Sequence, residues 1–201
     1  SNALTDYQVL VQFDTQTLIA QGKMNADGSD LRFAADLDWL SYWIEGGIQG
    51  EFGINQPDTK VWVKVPFVPG AATTTIYMLY GNPDAAAMSD IQETFIFGDD
   101  FNDNSFDYDR WEKVLVEQGN IQEQNQRLEH LSPQSSPGSS SYLKSTTYFT
   151  EPVAVEMRFK KGGYVYRDAS VSDDAGNNSA GMTISDCCAV SFWTRIAGVA
   201  D

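Results

Sequence analysis

"TKVWVKVPFVPG", residues 59–70, decides the fold class. Val61, Val63 and Val65 recur at every second position with Trp62 and Lys64 between them. Period two is the signature of a strand with one face in a core and the other turned outward. Pro66 has no amide to give to a ladder, so the strand must stop there or become an edge. Upstream, "YQVLVQFDT" (7–15) repeats the alternation, setting Tyr7, Val9, Val11 and Phe13 against Gln8, Leu10 and Gln12. "NADGSDLRFAAD" (25–36) offers Asp27-Gly28 as a turn and restarts the pattern at Leu31 and Phe33, with "LSYWIEGG" (40–47) as the expected return strand of a hairpin. Downstream, "ATTTIYMLYGNPDA" (72–85) is rich in strand formers and closes on Gly81-Asn82-Pro83. The first ninety residues therefore read as at least five strands, with a helix expected only around "FDTQTLIAQGK" (13–23).

The second half keeps the strand pattern after a polar interval. "PVAVEMRFK" (152–160) alternates cleanly, and "GGYVYRDASV" (162–171) and "CCAVSFWTRI" (187–196) add two more strands. The low-complexity patch "SPQSSPGSSS" (132–141) reads as a surface loop. The class expected is all-β, divided near residue 96 into an antiparallel β-sandwich over 4–95 and a second β domain over 96–201. Ser1-Asn2-Ala3 reads as the scar of tag removal, and the stop directly after a strand-like run suggests a boundary inside a longer protein.

Charge narrows the partners. Against 28 Asp and Glu stand 13 Lys and Arg, a formal net charge of -15. Such a surface repels nucleic acid and anionic lipid, and the nearest basic grouping, Arg158, Lys160 and Lys161, lies on one expected strand. No apolar run approaches the roughly 20 residues of a membrane helix, so no membrane insertion of this segment is expected. Cys187 and Cys188 are adjacent, which is not a metal or redox spacing; they are two small buried residues, a vicinal disulfide, or partners of a cysteine elsewhere.

The motifs of the first half resemble a known family. Asp27, Gly28, Asp30, Arg32 and Phe33 match its Asp-Gly-x-Asp-hydrophobic-Arg-Phe turn; Tyr42, Ile44 and Glu45 match its Tyr-x-Ile-Glu strand. Trp62, Val63, Val65 and Pro66 match a Trp-Val-x-Val-Pro strand, and Tyr80, Gly81 and Asn82 its terminal Tyr-Tyr-Gly-Asn, with Leu79 standing where a second Tyr is common. Residues 7 to about 95 thus resemble the domain of unknown function 2341 family. The stretch "FGDDFNDNSFDYDRW" (97–111), continued through residue 201, is similar to concanavalin-like or laminin-G-like jelly rolls at their entry strand, partial or complete here. The two-part arrangement resembles bacterial surface proteins of the adhesin and mannose-sensitive haemagglutinin pilus-biogenesis type. Some members of the first family instead precede proton-channel subunits of the ExbB and TolQ type, which would be periplasmic. The resemblance implies an exported, cell-surface or extracellular protein.

Three chemistries compete for the remaining residues. Asp103, Asn104, Asp107 and Asp109 form a dense set of hard oxygen ligands suited to Ca²⁺, the one cofactor expected, yet no EF-hand glycine or bidentate Glu accompanies them. Read otherwise, they are turn residues bonding their own backbone. In that reading Phe95, Phe97, Phe101, Phe106 and Trp111 anchor a strand while Asp99, Asp100, Asp103, Asp107 and Asp109 point to water. Glycoside hydrolysis needs paired carboxylates, and no Glu-x-Asp-x-x-Glu triplet occurs; Glu151 and Glu156 fall on opposite faces of a strand. A catalytic triad has only His130 to draw on, with no Gly-x-Ser-x-Gly elbow. Binding by aromatic stacking has more to use: Trp39, Tyr42, Trp43, Tyr164, Tyr166 and Trp193 are the conceivable platform. Tyr42 and Trp43, being adjacent on a strand, must face opposite sides. The function expected is therefore non-catalytic, a module acting in attachment or assembly through protein or glycan contacts at the cell surface, pilus components among them. The alternative is a fragment of a carbohydrate-active enzyme whose catalytic residues lie beyond residue 201.

Overall fold

The computed structural model describes residues 2–46, 53–115, 120–131, 142–149, 155, 167–172, 179–184 and 190–195. In chain order these form β1 (Leu4–Phe13), α1 (Thr15–Ala20), β2 (Arg32–Ala35), β3 (Asp38–Leu40), β4 (Tyr42–Ile44), β5 (Thr59–Val68), β6 (Tyr77–Leu79), α2 (Ile91–Thr94), β7 (Trp111–Val114), β8 (Asn120–Glu123), β9 (Leu128–Leu131), β10 (Tyr142–Ser145), β11 (Arg167–Ser172), β12 (Ser179–Ile184) and β13 (Val190–Arg195). The class is all-β, and every strand pairing is antiparallel. The contacts group residues 1–146 in one compact unit and 147–201 in another.

In the first unit, two three-stranded sheets, β1-β5-β4 and β3-β2-β6, bury a common core. Alternation decides what enters it. Val61, Val63 and Val65 of β5 point inward, joined by Tyr42 from β4, Phe33 from β2 and Leu40 from β3, with Leu31 and Met24 from the preceding turn. Full burial of side chains this size gives about 1.5–3 kcal/mol each before entropy is charged. Trp62 and Lys64, the intervening residues, are half-buried on the outer face.

Two expectations change. "LSYWIEGG" is not the return strand of the β2 hairpin: β3 is, pairing Ala34 with Trp39, while β4 crosses to the other sheet and pairs with Val61–Val63 of β5. The short β3 ends at Leu40 and β4 opens at Tyr42, with Ser41 alone between them. Residues 97–110 are turns and bends rather than a strand, and the strand opens at Trp111. The Pro66 alternative resolves as an edge. β5 runs on to Val68, but β4 pairs only with its first half, and opposite Pro66 the β1 residue Asp6 adopts φ 49° instead of pairing. The expected helix is α1, capped by Asp14, whose carboxylate accepts from the Thr17 amide and hydroxyl.

The second unit contributes the meander β11-β12-β13, with Ala169 opposite Met182 and Gly181 opposite Trp193. Apart from Val155, which is exposed, the expected strand at 152–160 lies outside the described residues, as do the serine-rich patch and Cys187 and Cys188.

Candidate functional site

The family-like motifs of the first half converge on one polar staple. Asp27 accepts from the Ser29 amide at 3.0 Å, closing an Asx turn that places Gly28 at φ +68°. Its left-handed conformation favours glycine, and a Cβ there would also crowd Ile54 Cδ1 at 2.8 Å. Asp30 is buried and bridges two distant segments, accepting from the Asn25 amide at 2.9 Å and the Gly81 amide at 2.6 Å, with Gly81 at φ +103°. Arg32 spends its guanidinium on the carbonyls of Ser29, Leu31 and Ala86. The Tyr42 hydroxyl donates to the Leu31 carbonyl at 2.7 Å, and burial pushes its ionisation upward. Glu45 receives the Trp62 indole N–H at 2.9 Å and faces Lys60 at 3.9 Å. These bonds tie distant segments of the fold together.

Tyr42 is thereby removed from the candidate platform. It is 1% exposed, packed against Phe33 with ring centroids 5.4 Å apart, and has no face left for stacking. Trp43 points the other way, as strand alternation requires, onto the outer face of β1-β5-β4. There Phe95 covers it edge-on at 6.0 Å and covers Trp62 at 5.7 Å. Its indole N–H reaches Asp100 Oδ2 at 3.4 Å. Trp43 also lines an open cleft of about 590 Å³ with Ser89, Asp90, Asp100 and Asn102. Burial raises the Asp100 ionisation; the Trp43 bond opposes this and the Asp99 charge adds to it. Tyr164 and Tyr166 lie outside the described residues, as does the side chain of Trp193.

Trp39 has a different environment. It is 61% exposed, on the outer face of β3-β2-β6. The register places Ala34 directly opposite it and Tyr77 directly opposite Ala34 on the far side, so Trp39, Ala34 and Tyr77 form one row across three strands. Tyr77 is 58% exposed. The row behind it, Leu40, Phe33 and Met78, faces the core. Sequence reasoning missed Tyr77 because three threonines precede it without alternation; the Ile76-Met78 pair, packed inward, was the available signal.

The acidic stretch is a self-satisfied loop. Asp99 accepts from the Phe101 amide at 2.9 Å and the Trp111 indole at 2.8 Å, and Asp100 also takes the Asn102 amide group at 2.8 Å. These two carboxylates, expected to point to water, are half-buried because indole N–H groups need acceptors. Asp103 accepts from the Ser105 amide at 2.8 Å, Asp107 from the amides of Asp109 and Arg110, and Asn104 from the Gln126 amide at 3.0 Å. Asp103, Asp107 and Asp109 border one shallow cavity with Ser105, Phe106 and Tyr108, whereas Asn104 turns away to the β8–β9 hairpin. Among the described residues, no three Asp, Glu, His or Cys side chains gather as a metal site. Aromatics back the loop: Phe97 packs edge-on to Trp111 at 4.8 Å, Arg110 lies over Phe97, and Lys113 lies over Phe106 at 3.7 Å.

One acid was not foreseen. Glu123 ends β8 at 8% exposure, on the face that Ile121 buries, and its Oε1 has no hydrogen-bond partner. Burial, then hydrogen-bonding contact with Asp103, then the charges of Asp103 and Asp99 push its ionisation up to about 7. Alternation from Ile121 was the signal that could have found it.

Among the described residues no helix is long and apolar enough to cross a membrane. No curated protein and no solved structure matches the chain. Residues 27–114, which run from the Asp-Gly turn through the staple and the acidic loop into β7, match the model of the family described as domain of unknown function (DUF2341).

Proposed function

We propose that this chain is a non-catalytic module of an exported bacterial surface protein, of pilus-associated or adhesin type, that makes attachment contacts through the outer face of β3-β2-β6. The observation carrying this reading is the Trp39-Ala34-Tyr77 row, two exposed aromatics aligned on rigid strands while the remaining motif residues are consumed by the staple. Large aromatics left on a surface cost solubility, and aligned ones on a sheet are a contact surface in waiting.

The rival enzyme reading finds its best footing in the Asp103–Glu123 carboxyl pair. Glycosidases separate their two carboxyl groups by about 5 Å or more so that a sugar or water fits between them. Here Glu123 is buried, and Asp103 is close enough to raise its ionisation, which leaves no room for a sugar between them. The decisive experiment is flow cytometry of bacterial and epithelial cells with fluorescently labelled protein, comparing wild type with the Trp39→Ala, Tyr77→Ala double variant. At least a ten-fold loss of cell binding in the variant is expected. Equal binding by both proteins, or release of reducing sugar ends during incubation, would overturn the reading.

A further inference from the structure

We infer that the Trp39-Ala34-Tyr77 row takes an uncharged polysaccharide chain lying extended across the three strands; this deepens the attachment reading above and rests on it. Trp39 and Tyr77 sit two strand spacings apart, roughly 9.6 Å, with Ala34 as the low floor between two raised rings. That separation suits alternate sugar rings of an extended chain, each laying its C–H face on one aromatic. The sheet's twist, about 20–25° per strand, turns the second ring relative to the first, as successive rings of a twisted glycan are turned.

Charge selects the class. The nearest cation on the same outer face is Arg32, two residues from Ala34, and its guanidinium is committed to the carbonyls of Ser29, Leu31 and Ala86. Tyr77, Trp39 and Ala34 bring no charge, and the chain as a whole carries -15. A uronate, sulfated or phosphate-bearing polymer would meet a row that offers no cation of its own on a strongly acidic chain. A protein partner is less well matched by the row itself. Two rings of about 150–250 Å² each, some three-fifths exposed, supply far less than the roughly 800 Å² per partner of a stable protein interface.

The test is depletion of the full chain from solution by insoluble cellulose and chitin, with affinity electrophoresis in soluble mixed-linkage glucan, and with polygalacturonate and heparin as anionic comparisons. Wild type should bind at least one uncharged polymer, undiminished by 1 M NaCl, and neither anionic one. Trp39→Ala and Tyr77→Ala should each weaken binding ten-fold or more, Trp39→Phe should keep most of it, and Ala34→Leu should block it by filling the floor between intact rings. Circular dichroism matching wild type shows that the surface variants fold. Retention by heparin or polygalacturonate, or glycan binding indifferent to all four substitutions, overturns the inference. If no polysaccharide binds but the double variant still loses cell attachment, the row serves a protein and the inference fails while the attachment reading stands. If neither binding nor cell attachment is seen, both fall.

Discussion

Glu123 has two reasons to hold a proton near neutrality: it is buried, and its nearest neighbour, Asp103, is another carboxyl. Its folded ionisation, about 7, stands above the 4.5 of a free glutamate. A carboxyl raised on folding favours the folded state most when protonated in both states, so its benefit is complete below about 4.5 and lost as pH climbs through 7. The swing is on the order of 3 kcal/mol. Glu123→Gln should therefore unfold at a higher temperature than wild type at pH 8, while the two converge as pH falls below about 4.5. A variant no more stable than wild type at pH 8 would show that Glu123 carries no burial penalty. Asp30 is the opposite case, a buried acid fully employed. Asp30→Ala orphans the amides of Asn25 and Gly81, at a cost of about 3 kcal/mol. Thermal unfolding should move down by roughly 10 °C, and an unchanged midpoint would mean that the bridge is replaced by water. Neither role was legible in the sequence, since Asp30 was visible as part of a motif without its distant partner Gly81, and Glu123 sat in a polar run.

At the scale of elements, the alternation of β5 was readable because one face of the strand is buried, and burial leaves its mark on composition. The three-residue β3 and β4 were not separable, because only Ser41 stands between them while Tyr42 goes to a different sheet from Leu40. The loop of 97–110 misled for a related reason. Its aromatics and aspartates alternate much as a half-buried strand would, but Asp99, Asp103 and Asp107 turn back onto nearby backbone amides, and Asp99 and Asp100 accept from indoles. Phe95, where the chain enters that loop, covers the outer face of β4 and β5 by touching both Trp43 and Trp62. Phe95→Ala should cost about 2 kcal/mol, less than a fully buried phenylalanine, and should shift tryptophan emission to longer wavelength as the two indoles gain water. Loss of stability without that shift would place the cost elsewhere than on the Trp43–Trp62 cover.

At the scale of the molecule, the all-β class followed from periodicity, whereas the arrangement of units depends on contacts that no local pattern announces. The acidic loop bonds backward to Trp43 through Asp100 and forward to Trp111 through Asp99. Thr146, at the end of β10, donates to the carbonyls of Asp109 and Arg110, and β10 pairs with β7. Of these ties the Asp100–Trp43 bond reaches the sheets of the first half and the others knit residues 97–146 together, while the contacts group 1–146 as one compact unit. A division near residue 96 would instead leave the first half self-sufficient. The two arrangements differ in what a truncated chain should do. A 1–146 fragment retains the staple, the Phe95 cover, the Asp99–Trp111 bond and the β7–β10 pair, so it should unfold in one cooperative transition with sharp near-ultraviolet dichroism. A 1–95 fragment keeps the core strands but loses the Asp100–Trp43 bond and the loop beyond Phe95, leaving the tryptophan face of β4 and β5 thinly covered. It should melt at least 10 °C lower, or without a cooperative transition, given the roughly 4–8 °C that each kcal/mol moves a unit of this size. Equal melting temperatures would overturn the longer unit and place the boundary at the acidic stretch.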